Sequence, residues 1–245
     1  MAMPGRPHDS LAIPEELAAF RAEVERTLTP SDWPAAISCE HNVLTYAGDD
    51  VRAAEADAHA RRALKEEWAR ALDTGPGIIV IRQAIRDART IDRATEIFSD
   101  LIDVQRAGGQ RSGDHFAKPG ANDRIWNALQ KHCQSDPINF ADYYACSALA
   151  LASEAWLGPG YQVTAQVNRV NPGGAAQVGH RDYHLGFMLP QQAREFPPHV
   201  HQLSPLLTLQ GAIAHCDMPL ESGPTCYLPF SQHFATGYCV FAEPA

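Results

Sequence analysis

The chain has 245 residues, of which 45% are hydrophobic and 20% charged, an ordinary balance for a globular protein in water. Its net charge of −9 argues against a nucleic-acid-binding surface, which needs clustered Lys and Arg to displace counterions. The N-terminus lacks the apolar core of a signal peptide, and no stretch approaches the roughly 18 apolar residues of a membrane span. The six cysteines form no Cys-x-x-Cys pair, so we expect free thiols and a cytoplasmic location.

The first half of the chain is predicted to be mainly helical. Residues 87–104 carry apolar side chains at the spacing of one helical face, and the other segments are rich in helix formers and bounded by Pro or Gly. The predicted helices are residues 14–28, 50–72, 87–104, 124–133 and 138–157. A β-branched run at 78–81 predicts a buried strand, and the Gly-rich stretch 108–122 predicts a loop that carries many functional groups.

From Tyr161 onward the pattern changes to the period of two that is typical of strands. Strands are predicted at 161–170, 180–189, 206–216 and 225–228, with a candidate fifth at 238–241, and Asn-Pro-Gly-Gly at 171–174 predicts a turn. Helices followed by short antiparallel strands predict a single α+β domain. We expect its mainly helical part to span residues 1–157 and its β-rich part to span 158–245.

The most informative short motif is Gly-His-Arg-Asp-Tyr-His at 179–184. In a strand, His180, Asp182 and His184 share one face, and three ionisable groups on an inner face need a partner such as a metal ion. An imidazole and a carboxylate two residues apart, with a distant His, form the facial triad of non-haem iron(II) oxygenases. His-x-Asp alone is also common in surface pairs. The kinase catalytic loop is excluded, because the required Asn and an upstream Gly-rich loop are missing.

Three ordered segments, 179–187, 208–217 and 221–233, together resemble the phytanoyl-CoA dioxygenase family. That family has His-x-Asp, often with a second His two residues on, then an alternating strand and a segment ending in Pro-Gly-Ser-His. Here the last segment ends in Pro-Phe-Ser-Gln-His, at 229–233. The resemblance is clear over 161–233 and looser in the helical half.

The resemblance implies a double-stranded β-helix (a cupin-like jelly roll) with the helical half packed on it. It also implies binding of iron(II) and 2-oxoglutarate, with His180 and Asp182 as two metal ligands. Such enzymes use oxygen to hydroxylate a small organic or acyl-type molecule and release succinate and CO2. Since related halogenases replace the carboxylate with a small residue, Asp182 favours hydroxylation. The sequence does not identify the substrate or the oligomeric state.

The family's third ligand and its 2-oxoglutarate-binding Arg would lie beyond Ala245, and the predicted strands are too few for an eight-stranded jelly roll. We therefore expect a truncated chain, in which neither His215 nor His233 replaces the third ligand. The alternative is a non-catalytic cupin-like module that binds a metal or another ligand.

Other candidate residues surround this pair in the sequence. Gln166 and Asn168 share a face of the preceding strand, from which family members often contact 2-oxoglutarate, although edge-strand polar residues explain them equally well. Lys118 and Arg124 are cationic candidates for the co-substrate, and a bidentate contact to a carboxylate suits Arg124. His184 is expected to line the substrate or oxygen side.

Overall fold

The computed structural model describes residues 14–109, 120–174 and 195–232. Within these ranges the chain combines helices with two small sheets, as the α+β prediction requires. The helices are α1 (Pro14–Val24), α2 (Gly48–Glu55), α3 (Ala58–Asp73), α4 (Ala88–Ala107), α5 (Ala128–Ser135), α6 (Pro137–Tyr144), α7 (Ser147–Leu157) and α8 (Pro198–Leu203). The strands are β1 (Ser38–Glu40), β2 (Val43–Ala47), β3 (Ile79–Arg82), β4 (Asn122–Ile125) and β5 (Val167–Val170). Short 3-10 helices lie at Pro30–Asp32, Ser204–Leu207 and Leu220–Ser222.

The first sheet has the order β1-β2-β3 and lies in the helical half. β1 and β2 form an antiparallel hairpin whose connecting residues, His41 and Asn42, have φ of 53° and 62°, as a type I′ turn requires. β2 and β3 pair in parallel, and the crossover connection that such a pair needs contains α2 and α3. A core of buried apolar side chains fills the space between this sheet, α3 and α7; its largest members are Leu44, Tyr46 and Trp68.

The second sheet pairs β4 with β5 antiparallel and packs on α4. Ile125 of β4 is fully buried in a cluster with Ile97, Phe98 and Ile102 of α4, against which Val167 of β5 also packs. This cluster uses the apolar face that the helical spacing of residues 87–104 predicted. The register pairs Ile125 with Val167 and Asn122 with Val170.

Several predicted elements differ from the structure. The predicted helix 124–133 is β4 followed by α5, and the helices predicted at 50–72 and 138–157 are each two helices. The strand predicted at 161–170 is regular only at Val167–Val170. Residues 206–216 and 225–228 form no strand, so both predictions are wrong. The strands predicted at 180–189 and 238–241 lie outside the described residues.

β3 was predicted to be buried, but its residues alternate between half-buried and exposed, because only one face of this edge strand meets the core. Gly158 ends α7 as predicted, with a φ of 75°. Within the described residues, no helix is long and apolar enough to cross a membrane.

Candidate functional site

The residues predicted to bind iron and substrate, His180, Asp182 and His184, lie outside the described residues, as does Lys118. Their roles therefore stay predictions. Among the residues that the structure describes, no group of three His, Cys, Asp or Glu side chains could hold a metal ion. The remaining candidates, Arg124, Asn168 and Gln166, lie on or beside the strand pair that precedes the motif in the chain.

The structure brings Arg124 and Asn168 together on one face of the β4–β5 pair. They are direct cross-strand partners, so their side chains leave the sheet on the same side. Asn122, two residues before Arg124, shares this face and donates from Nδ2 to Asn168 Oδ1 over 2.9 Å. The guanidinium of Arg124 lies 5.1 Å from the centre of the Trp126 ring. We call Asn122, Arg124 and Asn168 the polar face.

Gln166 lies directly before β5 and is exposed, as is Asn168. Its neighbour Ala165 accepts a hydrogen bond from the backbone N–H of Ala128, the first residue of α5, over 3.0 Å. Because Gln166 precedes the strand, the common face expected for Gln166 and Asn168 stays a prediction.

The opposite face of the strand pair carries an ionic network centred on Asp123. Its carboxylate accepts hydrogen bonds from Arg106 Nε over 3.0 Å, from Asn171 Nδ2 over 3.0 Å and, more weakly, from Arg169 over 3.4 Å. Burial acts to raise the pKa of this carboxyl, but the bonds from Arg106 and Asn171 outweigh burial and hold the pKa below its usual value. Asp123 directly follows the Gly-rich stretch 108–122, and no sequence pattern indicated a function for it.

Chemically, the polar face is suited to a carboxylate. A guanidinium and an amide –NH2 group both donate hydrogen bonds to anionic oxygens, and the guanidinium can donate two in parallel. Arg124 and the neighbouring amides therefore fit one end of a dicarboxylate such as 2-oxoglutarate. The donor set of the predicted metal site, one imidazole and one carboxylate, fits iron(II).

His215 is hydrogen-bonded at both ring nitrogens. Thr95 Oγ1 lies 2.8 Å from Ile91 O, to which it can donate, and 2.8 Å from His215 Nδ1, so a neutral imidazole that carries its proton on Nδ1 satisfies both contacts. Tyr143 then donates its hydroxyl proton to His215 Nε2 over 2.7 Å. Both ring nitrogens of a neutral imidazole are thereby satisfied. Burial, with a smaller effect of His132, lowers the pKa of His215 and favours this neutral form.

A second histidine, His132, was not singled out in the sequence. It is fully buried, and its Nε2 lies 2.8 Å from Asn139 Oδ1, which can only accept a hydrogen bond. Phe98, Tyr143 and Phe140 surround the ring with edge-on contacts. A single His within a helix forms no motif with its neighbours, so the sequence did not indicate that His132 is buried. Its aromatic surroundings show that it is a core residue.

The segment that resembles the family's Pro-Gly-Ser-His docks on the helical half. Gln232 donates from Nε2 to the carbonyl oxygens of Asp73, the last residue of α3, and Gly75 at 2.8 and 2.9 Å. Phe230 is 2% exposed, lies under the guanidinium of Arg26, and has a φ of 64°. Phe230 therefore occupies the left-handed region at the position where the family segment has Gly. His233 lies outside the described residues.

A family model described as "Phytanoyl-CoA dioxygenase (PhyH)" matches residues 9–239, which is most of the chain. Searches of curated proteins and of solved structures found no match.

Proposed function

The chain belongs to the phytanoyl-CoA dioxygenase family, and from that premise we propose that it is an iron(II)- and 2-oxoglutarate-dependent dioxygenase. Its reaction would hydroxylate a small organic or acyl-type substrate with oxygen and release succinate and CO2. The observation that carries this proposal is the family match over residues 9–239, a range that contains both His180 and Asp182. The five described cysteines are free thiols, which supports a reducing compartment such as the cytoplasm.

For the architecture we propose a single domain in which the helices of residues 1–157 pack on a double-stranded β-helix formed from residue 158 onward. The family relation supports this arrangement, and the β4–β5 pair packed on α4 is compatible with it. The third metal ligand and an additional Arg for 2-oxoglutarate are not assigned to any residue of this chain.

For the site we propose that His180 and Asp182 hold the iron and that His184 faces the substrate or oxygen side. Bound iron(II) would supply the binding and activation of oxygen. The chain's own groups would orient the co-substrate: Arg124 would take a carboxylate of 2-oxoglutarate. Asn168, Gln166 and Lys118 are further proposed contacts. The strand register supports the assignments of Arg124 and Asn168, because it brings the guanidinium and the amide to one face of the β4–β5 pair.

The test is a binding measurement under anaerobic conditions. Calorimetry should show that iron(II) binds and that 2-oxoglutarate then binds in an iron-dependent way. His180→Ala and Asp182→Ala should abolish both. Arg124→Met should leave iron binding intact and weaken 2-oxoglutarate by about 10- to 100-fold, the value of a lost charge-assisted contact.

Arg89→Met is the matched control, since Arg89 has an 89% exposed side chain and pairs locally with Asp87, two residues before it. If iron binds but 2-oxoglutarate does not, the result would favour the alternative function, a non-catalytic cupin-like module that binds a metal. If Asp182→Ala leaves iron binding unchanged, the proposal that Asp182 is a metal ligand is wrong.

A further inference from the structure

Asp123 connects three separate parts of the described chain. Arg106 reaches it from the last turn of α4, Arg169 from the partner strand β5, and Asn171 from the turn that follows β5. The backbone N–H of Asn171 also donates a hydrogen bond to Ala121 O over 2.9 Å, so the turn is tied to the residue just before β4. One carboxylate therefore links β4, the turn after β5 and the end of α4.

The next residue along β4 is Arg124, and a strand directs consecutive side chains to opposite faces. Asp123 points to the α4 side and Arg124 to the polar face. A fixed Asp123 consequently fixes the direction from which Arg124 leaves the sheet. Slippage by one residue would exchange the two side chains between the faces, so a specific contact that holds the register also holds the guanidinium.

Packing of β4 on α4 alone does not need a charge at position 123. Ile125, on the same face and fully buried, already supplies the apolar contact. A carboxylate that accepts from both Nε and Nη2 of Arg106 adds a two-point, directional contact, which an apolar side chain cannot provide. The charge therefore contributes orientation in addition to packing.

The ion pairs are too exposed to contribute much stability. Side-chain exposure is 18% for Asp123, 48% for Arg106 and 35% for Arg169, and ion pairs that solvent reaches are usually weak. Misplacement of a binding group by about 1 Å, in contrast, can lower its effectiveness greatly. We infer that Asp123 is a positioning residue for the proposed co-substrate site and acts through β4 to hold the Arg124 guanidinium in place for a carboxylate. This inference rests on the proposed function.

The test measures 2-oxoglutarate affinity in a double-mutant cycle, by calorimetry with the iron(II)-loaded protein under anaerobic conditions. Asp123→Asn should raise the Kd by about tenfold, the lower range for removal of a group that orients a ligand. In the Arg124→Met background the same change should raise the Kd less than about twofold, because there is no guanidinium left to position. Arg106→Gln should act in the same direction as Asp123→Asn.

Glu154→Gln is the matched control. Glu154 of α7 is a carboxylate of similar side-chain exposure, 26%, and forms salt bridges with two cations of α3, Arg61 and Lys65. It should change thermal stability about as much as Asp123→Asn does and leave the Kd unchanged. Thermal unfolding of the metal-free variants supplies a readout that is independent of ligand.

Two outcomes overturn the inference while the proposed function stands: an unchanged Kd in Asp123→Asn, or the same fold increase in both backgrounds, which would indicate a general structural effect. If Arg124→Met itself leaves the Kd unchanged, the proposed role of Arg124 fails, and the inference fails with it.

Discussion

Phe230 combines two opposing effects at one position. Its φ of 64° lies in the left-handed region, which costs a residue with a Cβ atom about 1 to 2 kcal/mol. Its side chain is 2% exposed, with the guanidinium of Arg26 4.6 Å from the ring centre. The change Phe230→Gly removes the backbone strain and the packed ring together. The sign of its effect on stability therefore shows which of the two is larger.

The packed ring should dominate. Loss of a buried Phe side chain typically costs about 3 to 5 kcal/mol, and the cation–π contact adds about 0.5 to 1 kcal/mol. Relief of the backbone strain returns about 1 to 2 kcal/mol. The variant should therefore be less stable by about 1.5 to 5 kcal/mol. For a chain of this size each kcal/mol lowers Tm by about 2 to 4 °C, so we expect a decrease of about 3 to 20 °C.

The assay is thermal unfolding followed by circular dichroism. Phe230→Ala should be less stable than Phe230→Gly by about 1 to 2 kcal/mol, because Ala loses the ring and keeps the strain. Leu220→Ala, at a side chain that is 83% exposed, should change stability by less than about 0.5 kcal/mol. A Phe230→Gly protein as stable as the parent, or more stable, would refute the reasoning.

Three further changes test other contacts. Gln232→Ala removes the donor to the carbonyl oxygens at the end of α3 and should cost about 1 to 2 kcal/mol in urea unfolding; no loss would contradict the docking of this segment. Tyr143→Phe removes the hydroxyl that contacts Nε2 of the half-buried His215 and should cost about 0.5 to 1.5 kcal/mol by the same measurement; no cost would contradict this hydrogen bond. Burial lowers the pKa of His215 below 6.5, the value expected in the unfolded chain. The contribution of the neutral imidazole to the free energy of unfolding is therefore complete above pH 6.5 and is lost as the pH falls below it. The slope of Tm against pH from about 7.5 to 5 should be shallower in His215→Gln, and an equal slope would show that His215 does not titrate differently on unfolding.

The helices that the sequence predicted well are those whose signals are local. The apolar spacing of residues 87–104 corresponds to α4, Ala88–Ala107. The break between α2 and α3 also had a local signal that was missed: the Asp57 carboxylate accepts from the N–H groups of His59 and Ala60, as N-cap residues do. Helix formers on both sides of Asp57 concealed this boundary.

The strands depend on partners far away in the sequence, and local periodicity does not contain that information. Asn122 was assigned to a loop and residues 124–125 to a helix, but Asn122–Ile125 pairs as a strand with Val167–Val170, more than 40 residues later. The β1–β2 hairpin was missed because His41-Asn42 adopts the type I′ turn without the Asn-Gly or Asp-Gly signal. Residues 206–216 alternate in character but have no strand partner among the described residues.

Asn168 was expected on a strand that precedes the motif, and β5 contains it. The structure adds that Arg124 lies opposite Asn168 on the partner strand. The common face expected for Gln166 and Asn168 stays a prediction, because Gln166 precedes β5. The ionic network of Asp123 with Arg106 and Asn171 was not predictable, because it joins a helix, a strand and a turn that only the tertiary fold brings together.

The measurement that tests the central claim most directly is succinate formation from 2-oxoglutarate by the purified protein with iron(II), across a panel of small acyl and amino-acid-type substrates. We predict succinate and CO2 only when oxygen is present, loss of both in Asp182→Ala, and retention in Asp87→Asn. Asp87 is an exposed carboxylate that pairs with neighbouring Arg89 and caps α4, and Asn keeps the cap. Succinate formation that needs no oxygen, or that persists unchanged in Asp182→Ala, would contradict the account.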